Sequence, residues 1–237
     1  MPSAEDFPSA AMQSVSIGGK ACLLYASASP ECFLIQLTAR HESQNMEKEL
    51  AMLRRACGER IAFLAFDVGE WAVALMPWPD EAVSKDARVG RHAADTLACI
   101  EQHLLPWLTA RYGNKPCAIG GYSLGGLFAL WASCSTGAFA AVAAASPSVW
   151  IKGWVHYAET HATRARQVYL SLGDREEHCR NVRMAQVGTC IRRQGELLAE
   201  ALGTENTVLE WNEGNHFHNE AQRMARAFEW CVGRFFI

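Results

Sequence analysis

No stretch of the 237-residue chain approaches the ~20 consecutive apolar positions that a membrane-spanning helix requires. Charge of one sign is equally scarce. The 22 Lys and Arg residues stand against 25 Asp and Glu, a net charge of −3 with no clustered block. A nucleic-acid partner calls for a basic face, so none is expected. No C-x-x-C pair or Cys/His cluster of metal-ligand spacing occurs, so no metal site is expected. Cysteine is not itself rare, but nine is an odd number, and Cys22, Cys32, Cys99, Cys134 and Cys231 fall in segments that read as strands or helices. That usage fits reduced thiols in a cytoplasmic protein rather than a disulfide frame. Residues 1–7 carry acid and no long apolar core, which argues against a secretory leader. There is no internal repeat, low-complexity stretch or linker.

What is present is a sizeable apolar fraction, 50% of the chain, enough for one domain that buries a sheet between two helical layers. Residues 1–15 read as a loose extension and 16–237 as that domain. Strands are expected at 20–26, 32–37, 61–67, 139–145, 168–172 and 208–211, and helices at 46–57, 88–112, 183–202 and 219–232. The run Ala140-Ala141-Val142-Ala143-Ala144-Ala145 is apolar on both sides of its pleat, as a strand of a parallel sheet covered on both faces would be. The alternation of strands and helices implies a doubly wound α/β fold.

The most informative segment is Gly121-Tyr122-Ser123-Leu124-Gly125. A β-like run precedes it and a helix-like run follows, the setting in which G-x-S-x-G forms a nucleophile elbow. Bulky residues two positions either side of the serine would collide with the backbone of so sharp a turn, and glycine relieves this. The turn also aims the Leu124 N–H and the positive end of the helix at the space above the hydroxyl. The competing interpretation is a tight glycine-rich turn with a bystander serine.

Such a triad runs Ser, then acid, then His along the chain. The loop Glu213-Gly214-Asn215-His216-Phe217-His218 lies between the last strand and the last helix. There His216, directly after the glycine turn, suits a general base better than His218. For the acid, the strand at 168–172 ends in Gly173-Asp174-Arg175-Glu176-Glu177, which offers three carboxylates within four residues. The residues themselves leave Glu176, Asp174 and Glu177 open, beside the bland alternative of a solvated acidic turn.

The chain resembles an α/β-hydrolase, and more narrowly the esterase family that includes enterochelin esterases and esterase-D-like enzymes. The segments that carry the likeness are 120–126, Ala145-Ser146-Pro147-Ser148-Val149-Trp150, 173–176 and 214–217, and it extends over roughly residues 30–235. The resemblance implies an α/β-hydrolase fold with a mostly parallel sheet, and Ser123 as nucleophile, His216 as base and Glu176 as acid. It implies hydrolysis of a small or medium ester through an acyl-enzyme, without cofactor, nucleic acid or membrane. It transfers no particular substrate. Leu124 and Thr38, in the connection after the strand at 32–37, are the expected oxyanion donors, although that connection lacks the glycine cluster of many lipases. The segment between Ser146 and Gln167 is too short for a lid domain. Trp150 and Trp78 are candidates to wall the substrate pocket, with core anchoring as the competing role. A thioesterase, acyltransferase or peptidase would share the triad. A binding protein on the same fold would be expected to have lost one of its members.

Overall fold

A computed structural model describes residues 12–39 and 43–236. Its sheet has the order β1-β2-β4-β3-β5-β6-β7-β8. The strands are β1 Gln13–Ile17, β2 Lys20–Ala26, β3 Cys32–Thr38, β4 Ile61–Asp67, β5 Cys117–Tyr122, β6 Ala141–Ala145, β7 Gln167–Gly173 and β8 Thr207–Asn212. All pairings from β4 to β8 are parallel, and only the β1–β2 and β2–β4 pairings are antiparallel. This is the expected α/β-hydrolase architecture.

One face of the sheet is covered by α1 Ser43–Cys57 and α8 Glu220–Arg234. The other carries α3 Ala93–Cys99, α4 Leu105–Tyr112, α5 Leu124–Ser135, α6 Trp154–Thr160 and α7 Val187–Leu202, with the short α2 Trp71–Leu75 against α3 and α5. Strand β6 shows how the pattern produces the layers. Ala141, Ala143 and Ala145 pack toward Phe228 and Cys231 of α8. Val142 and Ala144 point the other way, toward Leu127 and Phe128 of α5. Small side chains on both faces let two helices approach the strand closely, just below the turn that bears Ser146.

Two expectations are corrected. Strand β1 begins at Gln13, inside the stretch read as a loose extension. It forms a hairpin with β2 through Gly18 and Gly19, whose φ values of 58° and 76° suit a two-residue turn that twists with its strands. The long helix expected at 88–112 begins only at Ala93 and is interrupted by a π-helical turn, Ile100–Leu104. Pro106 follows that turn; a proline inside a helix lacks an N–H and crowds the carbonyl four residues back, and a widened turn relieves that crowding. Among the described residues, no helix is long and apolar enough to cross a membrane.

Candidate active site

Ser123, Ser146, Glu176 and His216 each stand just past the C-terminal end of a parallel strand or in the loop that follows it. After β5 the chain turns so sharply that Ser123 takes φ 56° and ψ −116°, a conformation that L-residues rarely hold. The glycines explain how. A Cβ on Gly121 would lie 2.7 Å from Gly125 Cα, so Gly121 admits no side chain, and one on Gly125 would press on the Trp71 ring at 3.3 Å. The first backbone bond of α5 runs from Leu127 N–H to the Ser123 carbonyl, which leaves the Leu124 N–H outside the helical ladder.

Loops from distant sequence meet over this hydroxyl. Ser123 Oγ lies 3.0 Å from His216 Nε2, and His216 Nδ1 lies 2.7 Å from Glu176 Oε2. With the carboxylate ionised, Nδ1–H donates to Glu176 and Nε2 accepts the serine proton. Glu176 is buried. Burial pushes its carboxyl up, but the hydrogen bond and charge of His216, with bonds from Ser146 and the Gly173 N–H, outweigh it and hold the group below its ordinary value.

The other two carboxylates of the turn serve elsewhere. Asp174 Oδ1 accepts the Gly214 N–H at 2.8 Å and ties the two loops together. Glu177 pairs with Arg192 of α7 at 2.8 Å. His218 is exposed. Ser123, His216 and Glu176 are thus the candidates brought together, and the alternatives are not.

Behind the carboxylate lies a layer that sequence reasoning missed. Glu176 Oε1 accepts from Ser146 Oγ at 2.7 Å, from Gly173 N–H at 2.7 Å and from Arg223 Nη1 at 2.9 Å. Arg223, only 1% exposed, also donates to Tyr122 OH at 2.9 Å and to the Asn215 carbonyl at 3.1 Å. Burial pushes the Tyr122 phenol up to about 12, so it stays neutral and donates to the His216 carbonyl at 2.8 Å. A signal for Arg223 existed, since it shares an apolar stripe with Ala227 and Cys231, where an arginine needs a buried partner.

Thr38, the second residue expected to donate to the oxyanion, ends β3. The Thr38 carbonyl accepts the Val68 N–H at 3.0 Å, toward β4. The Thr38 side chain lines a separate cleft with Cys22, Met46 and Asp67. Arg40 and His41 lie outside the described residues.

A family profile described as "Putative esterase" matches residues 59–224, a span that contains Ser123, Glu176, His216 and Arg223. The chain belongs to that family. The esterase gave no match in a search of curated proteins. Its fold is similar to a siderophore hydrolase, EstA, from Aspergillus nidulans, with 17% identity, TM-score 0.69 and 94% of each chain covered. An IroE-like serine hydrolase from Shewanella oneidensis aligns with 14% identity and TM-score 0.72, over 94% of this chain and 80% of that one. The α/β serine hydrolase without lid XC6422 from Xanthomonas campestris aligns with 15% identity and TM-score 0.58, over 96% of each chain.

A cleft of about 240 Å³ opens beside Ser123 and His216 in the esterase. Pro147, Trp150, Met184, Val187 and Phe217 give it apolar walls, with Arg175 and Cys179 also lining it. Ser148 Oγ stands 3.2 Å from Ser123 Oγ. Trp150 is therefore in the cleft wall, as expected, and Trp78 is not. The Trp78 indole stacks on Trp154 with ring centres 6.1 Å apart and donates to the Lys152 carbonyl at 2.7 Å, anchoring α6 instead.

Proposed function

We propose that the esterase hydrolyses a small or medium carboxylic ester through a covalent acyl-enzyme on Ser123. The observation that carries this reading is the unbroken chain of short contacts from Ser123 Oγ through His216 to Glu176. Ser123 Oγ attacks the ester carbonyl while its proton passes to His216 Nε2. The tetrahedral oxyanion accepts from the Leu124 N–H and from a second N–H in the connection after β3, where Thr38 is the candidate. As the intermediate collapses, the alcohol leaves with the proton from Nε2. Water, deprotonated by the same nitrogen, then attacks the acyl carbon, and the acid departs as Ser123 recovers its proton. Glu176 holds the imidazole tautomer and stabilises the imidazolium throughout.

The apolar walls support an apolar acyl or alcohol group of modest size, and Arg175 offers one cation at the cleft. The siderophore hydrolase of similar fold shares too little sequence to transfer its substrate. Odd and scattered cysteine usage supports a cytoplasmic setting. The test is hydrolysis of p-nitrophenyl acetate and butyrate by the wild type beside Ser123→Ala. Activity should fall about 10⁴-fold or more in the variant. Equal turnover by the two proteins would rule Ser123 out as nucleophile.

A further inference from the structure

We propose that Arg223 is a positioning residue for catalysis, clamping the acid of the triad and the loop that carries the base into one rigid unit. The inference goes beyond the triad reading but rests on it. Three observations carry it. Arg223 reaches the site from α8, which follows the His216 loop, and is 1% exposed. Its Nη1 donates to Glu176 Oε1, the oxygen that His216 does not use, at 2.9 Å. Its Nη2 donates to the carbonyls of Glu213 at 3.3 Å and Asn215 at 3.1 Å, both within the loop that presents His216. One planar guanidinium therefore fixes the distance between acid and base from behind. A lysine could supply the charge but not the fork.

The same contact tunes the pair electrostatically. A cation on Oε1 draws negative charge away from Oε2, so the carboxylate holds the imidazolium less tightly than a lone buried carboxylate would. The other groups facing Glu176 are His216 from the loop after β8, Ser146 from the turn after β6 and the neutral Tyr122 from the end of β5, with Glu220 of α8 beyond Tyr122. On its own turn, Asp174 is engaged by the Gly214 N–H and Glu177 by Arg192. Arg223 is thus the cation that contacts the carboxylate oxygen opposite His216.

The test compares Arg223→Met and Arg223→Lys with the wild type and Ser123→Ala. The readouts are kcat and KM on p-nitrophenyl butyrate, and the pH dependence of inactivation by a fluorophosphonate. That probe bonds its phosphorus to Ser123 Oγ and expels fluoride, so it reports activation of the serine without the natural ester. Arg223→Met should lower kcat by about 10- to 100-fold with KM within about twofold, the loss expected for one buried charged hydrogen bond or more. Its acidic limb should move to higher pH. Arg223→Lys should keep the wild-type limb and recover part of kcat. If Arg223→Met does not fold, a lysine variant with the wild-type fold and full kcat overturns the proposal alone. Folded variants with unchanged kcat, or a methionine variant with an unmoved acidic limb, also overturn it. Turnover by Ser123→Ala equal to that of the wild type would instead bring down the triad reading itself.

Discussion

Ser123 and Ser146 end neighbouring strands, β5 and β6, and both hold a positive φ, 56° and 45°. Their surroundings differ. Around Ser123 four glycines, Gly120, Gly121, Gly125 and Gly126, strip away side chains, and the hydroxyl stands at a cleft facing His216. Around Ser146 there is no glycine; its N–H is tied to the Ser171 carbonyl at 2.9 Å, and its hydroxyl is buried against Glu176. The same backbone strain, costing about 1–3 kcal/mol per residue, thus presents one hydroxyl at the cleft and buries the other against a carboxylate. A strained turn is a way to aim a side chain, and what it is aimed at decides its role.

Substitutions can break this comparison. Within the turn that Ser146 supports, Glu176→Gln should lower kcat by about 10³–10⁴-fold, because an amide favours the wrong imidazole tautomer. Asp174→Asn and Glu177→Gln should stay within about threefold, since neither carboxylate meets His216. A loss in Asp174→Asn equal to that in Glu176→Gln would move the acid to the other side of the turn. Ser146→Ala should cost about 10-fold in kcat by removing one bond to the carboxylate. Ser146→Gly should lose the same activity yet melt at a higher temperature than the alanine variant, because glycine tolerates the positive φ. Matching melting temperatures would show that the turn carries no strain.

The two tryptophans sharpen the same contrast between reacting and supporting roles. Trp78→Ala should lower the melting temperature while kcat/KM stays within about twofold, since its stacking on Trp154 and Tyr157 holds α6. Trp150→Ala should instead shift the preferred p-nitrophenyl chain length. The smallest effect concerns acid stability. Glu176 has a folded-state pKa below its unfolded value of about 4.3, so its contribution is fully present above that pH and disappears as pH falls through the lower folded value. Urea midpoints between neutral and acid pH should therefore decline less steeply for Glu176→Gln than for the wild type. Parallel declines would mean that the carboxyl titrates alike in both states.

Much of this was legible because the signals were local. Strands at 20–26 and 61–67 match their expected bounds, since apolar runs between turn residues need no knowledge of distant neighbours. Ser123, His216 and Glu176 each carried a glycine-marked turn beside a strand. The β1 hairpin is marked by Gly18-Gly19 as well, but its strand is short, and its first three residues, Gln13 to Val15, fall in the stretch expected to be an extension. Arg223 was hidden because its partners lie 8 to 101 positions away along the chain.

The sequence by itself determined the parallel sheet, the elbow and the order of the candidate residues, because strand pattern, glycine placement and chain order are written in adjacent residues. Only the tertiary structure decided which of three carboxylates faces His216, and that Trp78 anchors a helix while Trp150 walls the cleft. Those outcomes depend on directions across packed strands and on a buried arginine from the last helix, and direction in space is a property of the folded chain.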